Sequence, residues 1–135
     1  MHEKQIEIRW RDMDAFGHVN NAVYLTYLEE ARDEWLERAL AGAADTWDFV
    51  LVRVAIDYRS ELRQSDDVLV ARVWLESVGR SSFQTKEELL AGNGRVTAQA
   101  ESVMVARDRQ TGASRRLTSG ERAALERERS SGGLV

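Results

Sequence analysis

A chain of 135 residues, 43% hydrophobic and 31% charged, suits one globular domain built around one core, and residues 1–135 are expected to form it. The net charge of −4, with no basic stripe interleaved with aromatics, argues against nucleic acid as a main partner. The absence of cysteine excludes disulfides, thiolate metal sites and a cysteine nucleophile. No stretch approaches the ~18 apolar residues of a spanning helix, and Met1-His2-Glu3-Lys4 lacks the apolar core of a signal peptide. The chain therefore reads as cytoplasmic, without membrane insertion.

Gln5 to Trp10 reads as a strand, with Ile6 and Ile8 alternating with Glu7 and Arg9. After a polar loop, Ala22 to Ala41 reads as a long amphipathic helix. Tyr24, Leu28, Ala31, Trp35 and Ala39 form its apolar stripe, widened by Leu25, Leu36 and Leu40. Asn20 or Asn21 suits its N-cap and Gly42 its stop. The period then changes to two. Val50 to Tyr58, Leu69 to Leu75, Ser82 to Leu90 and Val96 to Arg107 read as four strands, the last two joined by a Gly92-Asn93-Gly94 hairpin. The small residues Ala98, Ala100 and Ser102 imply that something packs close to that last strand. Glu121 to Arg129 reads as a short solvated helix and Ser130 to Val135 as a frayed tail, so that residues 118–135 form a C-terminal appendage. Sequential strands joined by short turns imply an antiparallel sheet. One long apolar helix is available to cover it. The expected architecture is α+β, a curved antiparallel sheet of about five strands wrapped around one central helix.

The loop before the helix, Arg11-Asp12-Met13-Asp14-Ala15-Phe16-Gly17-His18-Val19-Asn20-Asn21, concentrates polar chemistry. A calcium loop fails, because the fifth and twelfth positions counted from Asp12 are Phe16 and Val23. A transition-metal site on His18 lacks further histidines nearby, and no metal is expected. Two readings remain open from the residues alone. One is a capped turn; the other is an active site with a carboxylate beside a helix start, where free N–H groups and the helix dipole favour a developing oxyanion. A serine elbow is missing and a histidine triad is hard to build from His2 and His18.

Asp12-Met13-Asp14-Ala15-Phe16-Gly17-His18-Val19-Asn20-Asn21, with Tyr24 and the Glu29-x-Ala31-Arg32 element, resembles the hotdog-fold acyl-CoA thioesterases of the 4-hydroxybenzoyl-CoA thioesterase-like family. The likeness extends through Ile56-Asp57-Tyr58-Arg59 and Val78-Gly79-Arg80-Ser81-Ser82-Phe83 to Asp108-x-x-Thr111-Gly112. Ala15 and Ser60 stand where many members have proline. The resemblance implies hydrolysis of an acyl-coenzyme A to acid and thiol. Asp14 would act as nucleophile or general base, and a backbone N–H at or near Asn21 would hold the thioester oxygen. A thiol leaves as thiolate with a pKa of roughly 8.5, so little acid assistance is required.

His18 would orient water or carboxylate, or merely fill the loop. Gly17, Asn20 and Tyr24 would shape the substrate site, with Arg80, Ser81, Ser82 and Arg59 offered to the coenzyme phosphates. Trp10, Phe16, Tyr24, Trp47 and Trp74 would line an acyl pocket or pack in the core. Glu29 would support the site or pair with Arg32 at i+3. No cofactor is expected, coenzyme A being part of the substrate. A homodimer or a dimer of dimers would cover the sheet left open by one helix. Acyl carrier protein as the carrier, or a non-catalytic acyl-CoA-binding module, are the alternatives.

Overall fold

The computed structural model describes residues 1–132. Five strands form one antiparallel sheet: β1 (His2–Glu7), β2 (Phe49–Tyr58), β3 (Val68–Val78), β4 (Ser82–Ala91) and β5 (Val96–Ala106). Their order across the sheet is β1-β3-β4-β5-β2. The long helix α1 (Asn21–Ala39) lies on the inner face, and α2 (Ser119–Gly132) packs beside β3. This is the antiparallel sheet around one long helix expected from the residue pattern, and the hotdog fold that the family resemblance implies. Among the described residues no helix is long and apolar enough to cross a membrane.

The stripe Tyr24, Leu28, Ala31, Trp35 and Ala39 is buried, as its spacing requires. It meets inner-face residues that alternate along the strands, among them Leu69, Ala71 and Val73 of β3 and Phe83 of β4. Phe83 is the aromatic hub, edge-on to Trp35 at 5.9 Å and to Phe49 at 5.4 Å between ring centroids. Bulges between Leu51 and Arg53 and between Leu75 and Ser77 interrupt the register in the long strands. Such bulges increase local twist and help a sheet wrap a helix.

One buried ion pair crosses the core. Arg32 of α1 donates from Nε and Nη2 to Glu87 of β4 at 2.8 and 3.3 Å. Thr85 and Ser102 complete the carboxylate's partners, each at 2.9 Å. This pair is what packs near the small face of β5: Ala100 is the register partner of Glu87, and a larger side chain there would crowd it. Arg32 is therefore committed to Glu87, and Glu29, exposed on the helix surface, does not pair with it.

Most element ends shift by a few residues from expectation, α1 running Asn21–Ala39 and β3 Val68–Val78, and those at the two ends of the chain shift for identifiable local reasons. The first strand runs His2–Glu7 and ends before Trp10, because the chain turns into a 3-10 helix at Trp10–Asp12. The C-terminal helix begins at Ser119 because Thr118 and Glu121 form a capping box: Thr118 N–H donates to Glu121 at 2.8 Å, and Glu121 N–H donates to Thr118 Oγ at 3.1 Å. That helix continues to Gly132, past the expected Arg129; residues 133–135 of the expected tail lie outside the described residues.

Candidate active site

The loop between β1 and α1 is built by its own short polar side chains. Asp12 is buried, 3% exposed. Its Oδ2 accepts from the Arg9 N–H at 3.0 Å and the Tyr27 hydroxyl at 2.7 Å, and its Oδ1 from the Arg9 guanidinium at 3.2 Å. Burial alone would raise this carboxyl's pKa. The Tyr27 hydroxyl, the Arg9 N–H and the Arg9 guanidinium outweigh burial and hold it below the usual carboxylate range. Burial, and then the Asp12 hydrogen bond and charge, push the Tyr27 phenol upward. The Asp12 carbonyl also accepts the Asn20 N–H at 2.9 Å, tying the loop's entry to the helix start.

Asp14 lies at the tip. Its N–H donates to the His18 carbonyl at 2.8 Å, and its carbonyl accepts from Gly17 N–H at 3.1 Å, closing a tight turn. Gly17 sits at φ 79, a conformation that favours glycine. The Asp14 Oδ1 accepts from the N–H groups of Phe16 and His18 at 2.9 and 3.3 Å. No partner for Oδ2 is found among the described residues, so one carboxylate oxygen shapes the loop and the other is open.

The helix start supplies the complementary donor. Asn20 is the N-cap, its Oδ1 accepting from Ala22 N–H at 2.8 Å, while Val23 N–H reaches the Asn20 carbonyl at 2.9 Å. The N–H of Asn21 has no acceptor among the described residues. Asp14, His18, Asn21 and Tyr24 line one cavity of about 220 Å³, with Arg59 and Tyr58 on its other wall. Tyr58 fixes that wall by donating to the Asn21 carbonyl at 2.9 Å. It meets Tyr24 edge-on at 5.1 Å. The Tyr24 hydroxyl bridges the Ser60 carbonyl at 3.1 Å and the Leu62 N–H at 3.0 Å.

Of the residues singled out from the sequence, Asp14, His18, Asn21, Tyr24 and Arg59 line this cavity, and Gly17 and Asn20 shape the backbone that frames it. The His18 Nε2 lies 3.1 Å from a Glu61 carboxylate oxygen and 3.1 Å from Arg63 Nη2, so its ring is engaged with the β2–β3 loop. Arg80, Ser81 and Ser82 do not join the cavity in their own chain. They occupy the β3–β4 turn, where Ser82 pairs with Val105 and Val105 with Val50, whereas Tyr58 closes the other end of β2. The ten residues of β2 separate the two ends, a distance of about 30 Å.

The aromatics divide as well. Tyr24 lines the cavity; Trp74 faces outward; Trp10, Phe16 and Trp47 are 78%, 82% and 71% exposed and belong neither to the core nor to this cavity. Tyr58, Glu61 and Arg63 were not singled out from the sequence. The inner-face alternation of β2, continued past the helix start, is the signal that could have marked Tyr58. No group of three or more His, Cys, Asp or Glu able to hold a metal ion occurs among the described residues.

A carboxylate with one open oxygen and a free helix-start N–H on the wall of the same cavity form the minimal equipment of an acyl-transfer hydrolase. The chain belongs to the thioesterase-like superfamily, whose family model matches residues 8–127. It is 33% identical over 112 residues to the long-chain acyl-CoA thioesterase FadM of Escherichia coli (strain K12), covering 81% of this chain and 85% of that one. It is also 33% identical over 91 residues to the chloroplastic acyl-acyl carrier protein thioesterase ATL3 of Arabidopsis thaliana, covering 61% of this chain and 46% of that one. Among solved structures, a thioesterase complexed with coenzyme A and Zn from Thermus thermophilus superposes with a TM-score of 0.83 at 30% identity, covering 99% of this chain and 96% of that one.

Proposed function

We propose that the protein hydrolyses acyl-coenzyme A thioesters, with Asp14 as the catalytic carboxylate and the Asn21 N–H as oxyanion donor. The observation that carries this reading is the pairing of the open Asp14 Oδ2 with an acceptor-free N–H in one cavity. The thioester carbonyl oxygen would lie against the Asn21 N–H, where the helix dipole favours the charge that develops on attack. Either Asp14 Oδ2 adds to the acyl carbon, expels thiolate and leaves a mixed anhydride for water to open, or it takes a proton from the water that adds. Both routes end in a carboxylic acid and a thiol, and neither asks for a cofactor. His18, held by Glu61 and Arg63, orients the loop.

A homodimer completes this proposal. β2 is a sheet edge, with Val50, Leu51 and Val52 exposed. Antiparallel self-pairing of that edge sets the Phe49 end of one copy beside the Tyr58 end of the other. It brings the Arg80-Ser81-Ser82 turn of one copy toward the Asp14 cavity of its partner, where it can contact the pantetheine side of the substrate. Acyl carrier protein is the second carrier considered, favoured by the likeness to the chloroplastic relative.

The decisive experiment is turnover of an acyl-CoA panel by wild type and Asp14→Asn, followed by thiol release. Loss of the carboxylate should lower kcat by about 10²–10⁴-fold with the fold intact. Wild-type kcat in the variant overturns the assignment. Single turnover in ¹⁸O-water then separates the two routes. Label in Asp14 marks an anhydride opened at the aspartyl carbon; label only in the product comes from the general base or from an anhydride opened at its acyl carbon, and trapping an acyl-Asp14 adduct with hydroxylamine tells those two apart.

A further inference from the structure

Beside the Asp14 cavity lies a second one, of about 520 Å³, formed by the β2–β3 loop and the β4–β5 hairpin. The two share Arg59, Ser60 and Glu61, so they adjoin. Three arginines line the second cavity, Arg59, Arg63 and Arg95, against two carboxylates, Glu61 and Asp66. On a chain of net charge −4 this is a local reversal of sign. The Asp14 cavity, the outer-face cavity beside Trp74 and the groove beside Trp47 each carry an excess of acidic side chains.

The guanidinium groups are held in place with donors to spare. Arg95 Nη1 donates to Ser60 Oγ and to the Glu61 carbonyl, both at 2.9 Å, and its Nη2 to Asp66 at 3.3 Å. Two of those partners are neutral and the third, Asp66, is a partly exposed carboxylate at the long end of hydrogen-bond range, so the clamp fixes the fork while Nε, without an acceptor among the described residues, stays free to donate. Arg63 uses Nη2 for His18 Nε2 at 3.1 Å and for Glu61 at 2.9 Å, the latter a pair whose side chains are both more than half exposed. Such a pair is worth little in water and yields readily to a phosphate. Arg59 uses Nε for Gln99 at 3.1 Å, faces Asp57 through Nη2 at 3.7 Å in a pair more than half exposed on both sides, and stands where the two cavities meet.

We infer that this cavity binds the phosphate-bearing nucleotide end of coenzyme A, with Arg63 and Arg95 as anchors, while the thioester reaches Asp14 next door. The inference rests on the thioesterase reading and assigns its carrier. It gives the nucleotide a place built wholly from the chain that holds Asp14, unlike Arg80. Planar guanidinium forks suit phosphate oxygens, and a preorganised fork loses little freedom on binding.

The test compares one acyl group on coenzyme A and on pantetheine, which lacks phosphate, using the full chain. Wild type should show a KM for the coenzyme A thioester about tenfold or more below that for the pantetheine thioester, the loss of one charge-assisted hydrogen bond being worth that much. The gap should narrow as salt rises. Arg63→Ala and Arg95→Ala should raise KM for the coenzyme A thioester far more than for the pantetheine one. Adenosine 3′,5′-bisphosphate should compete with acyl-CoA, more weakly in either variant. Equal effects on both thioesters, or no competition by the bisphosphate, overturn the inference. A carrier-protein thioester turned over at lower KM than acyl-CoA, with equal sensitivity to Arg63→Ala, also overturns it in favour of the carrier's single phosphodiester. If wild type cleaves neither thioester, the hydrolase reading fails, and calorimetric binding of the bisphosphate to wild type and Arg63→Ala still decides the anion site separately.

Discussion

Asp12 and Asp14 stand two residues apart with the same functional group, and their surroundings divide the work between them. Asp12 is enclosed by the Tyr27 hydroxyl and by Arg9 and acts as a clamp. Asp14 keeps an oxygen free at the cavity. Replacing Asp12 with Asn puts an amide donor where donors already converge. It should destabilise the protein by about 1–3 kcal/mol, read by denaturant unfolding. The same site predicts a pH effect. The Asp12 carboxyl is held low in the folded state, so its contribution is fully present above the unfolded carboxylate pKa of roughly 3.9 and is lost as pH falls through the lower folded value. Glu121 behaves alike: burial pushes it up, but Arg115 and the Thr118 N–H hold it below its ordinary value. Unfolding followed from about pH 5 downward should show stability falling with acid, less steeply in Asp12→Asn. From the residues alone the two aspartates could not be told apart; only the family resemblance singled out Asp14, and nothing in the sequence marked Asp12 as a clamp. The clamp depends on Tyr27, which reaches Asp12 from nearly two turns inside the helix and has no local signature.

At the scale of elements, the period of α1 and the alternation of the strands were legible because each follows from one buried face. The Asn20 cap was legible too, since a short acceptor before an apolar stripe has few other uses. What escaped was every contact between elements far apart in sequence. Arg32 looked like a partner for Glu29 on the helix surface. Its partner is Glu87, fifty-five residues on and fully buried. A carboxylate surrounded by Arg32, Thr85 and Ser102 cannot be replaced piecemeal. Glu87→Ala should cost about 3–5 kcal/mol by stranding the guanidinium, measurable as a shift in the denaturation midpoint. Wild-type stability in that variant would mean the guanidinium finds another partner or water.

For the molecule as a whole, strand count and helix cover could be read from the chain, but the order β1-β3-β4-β5-β2 could not. The Arg80 turn was assigned to the site by motif, and only the sheet's topology shows it to be at the far end of its own chain. The same topology leaves β2 as an edge whose Val52 is 57% exposed. If two copies pair there, Val52→Lys should shift the assembly toward monomer in sedimentation velocity and lower kcat together with it. An unchanged sedimentation coefficient would remove β2 as the contact.

The tied Oδ1 of Asp14 makes its two oxygens inequivalent before any substrate arrives. An asparagine at this position can present its carbonyl to the amides of Phe16 and His18 and turn its NH₂ toward the cavity, so the turn survives while the atom free of loop bonds changes from an anion to a donor. A glutamate is one methylene too long to make the same two-residue loop bond. The architecture of the turn thus explains why aspartate, rather than any carboxylate, occupies the tip.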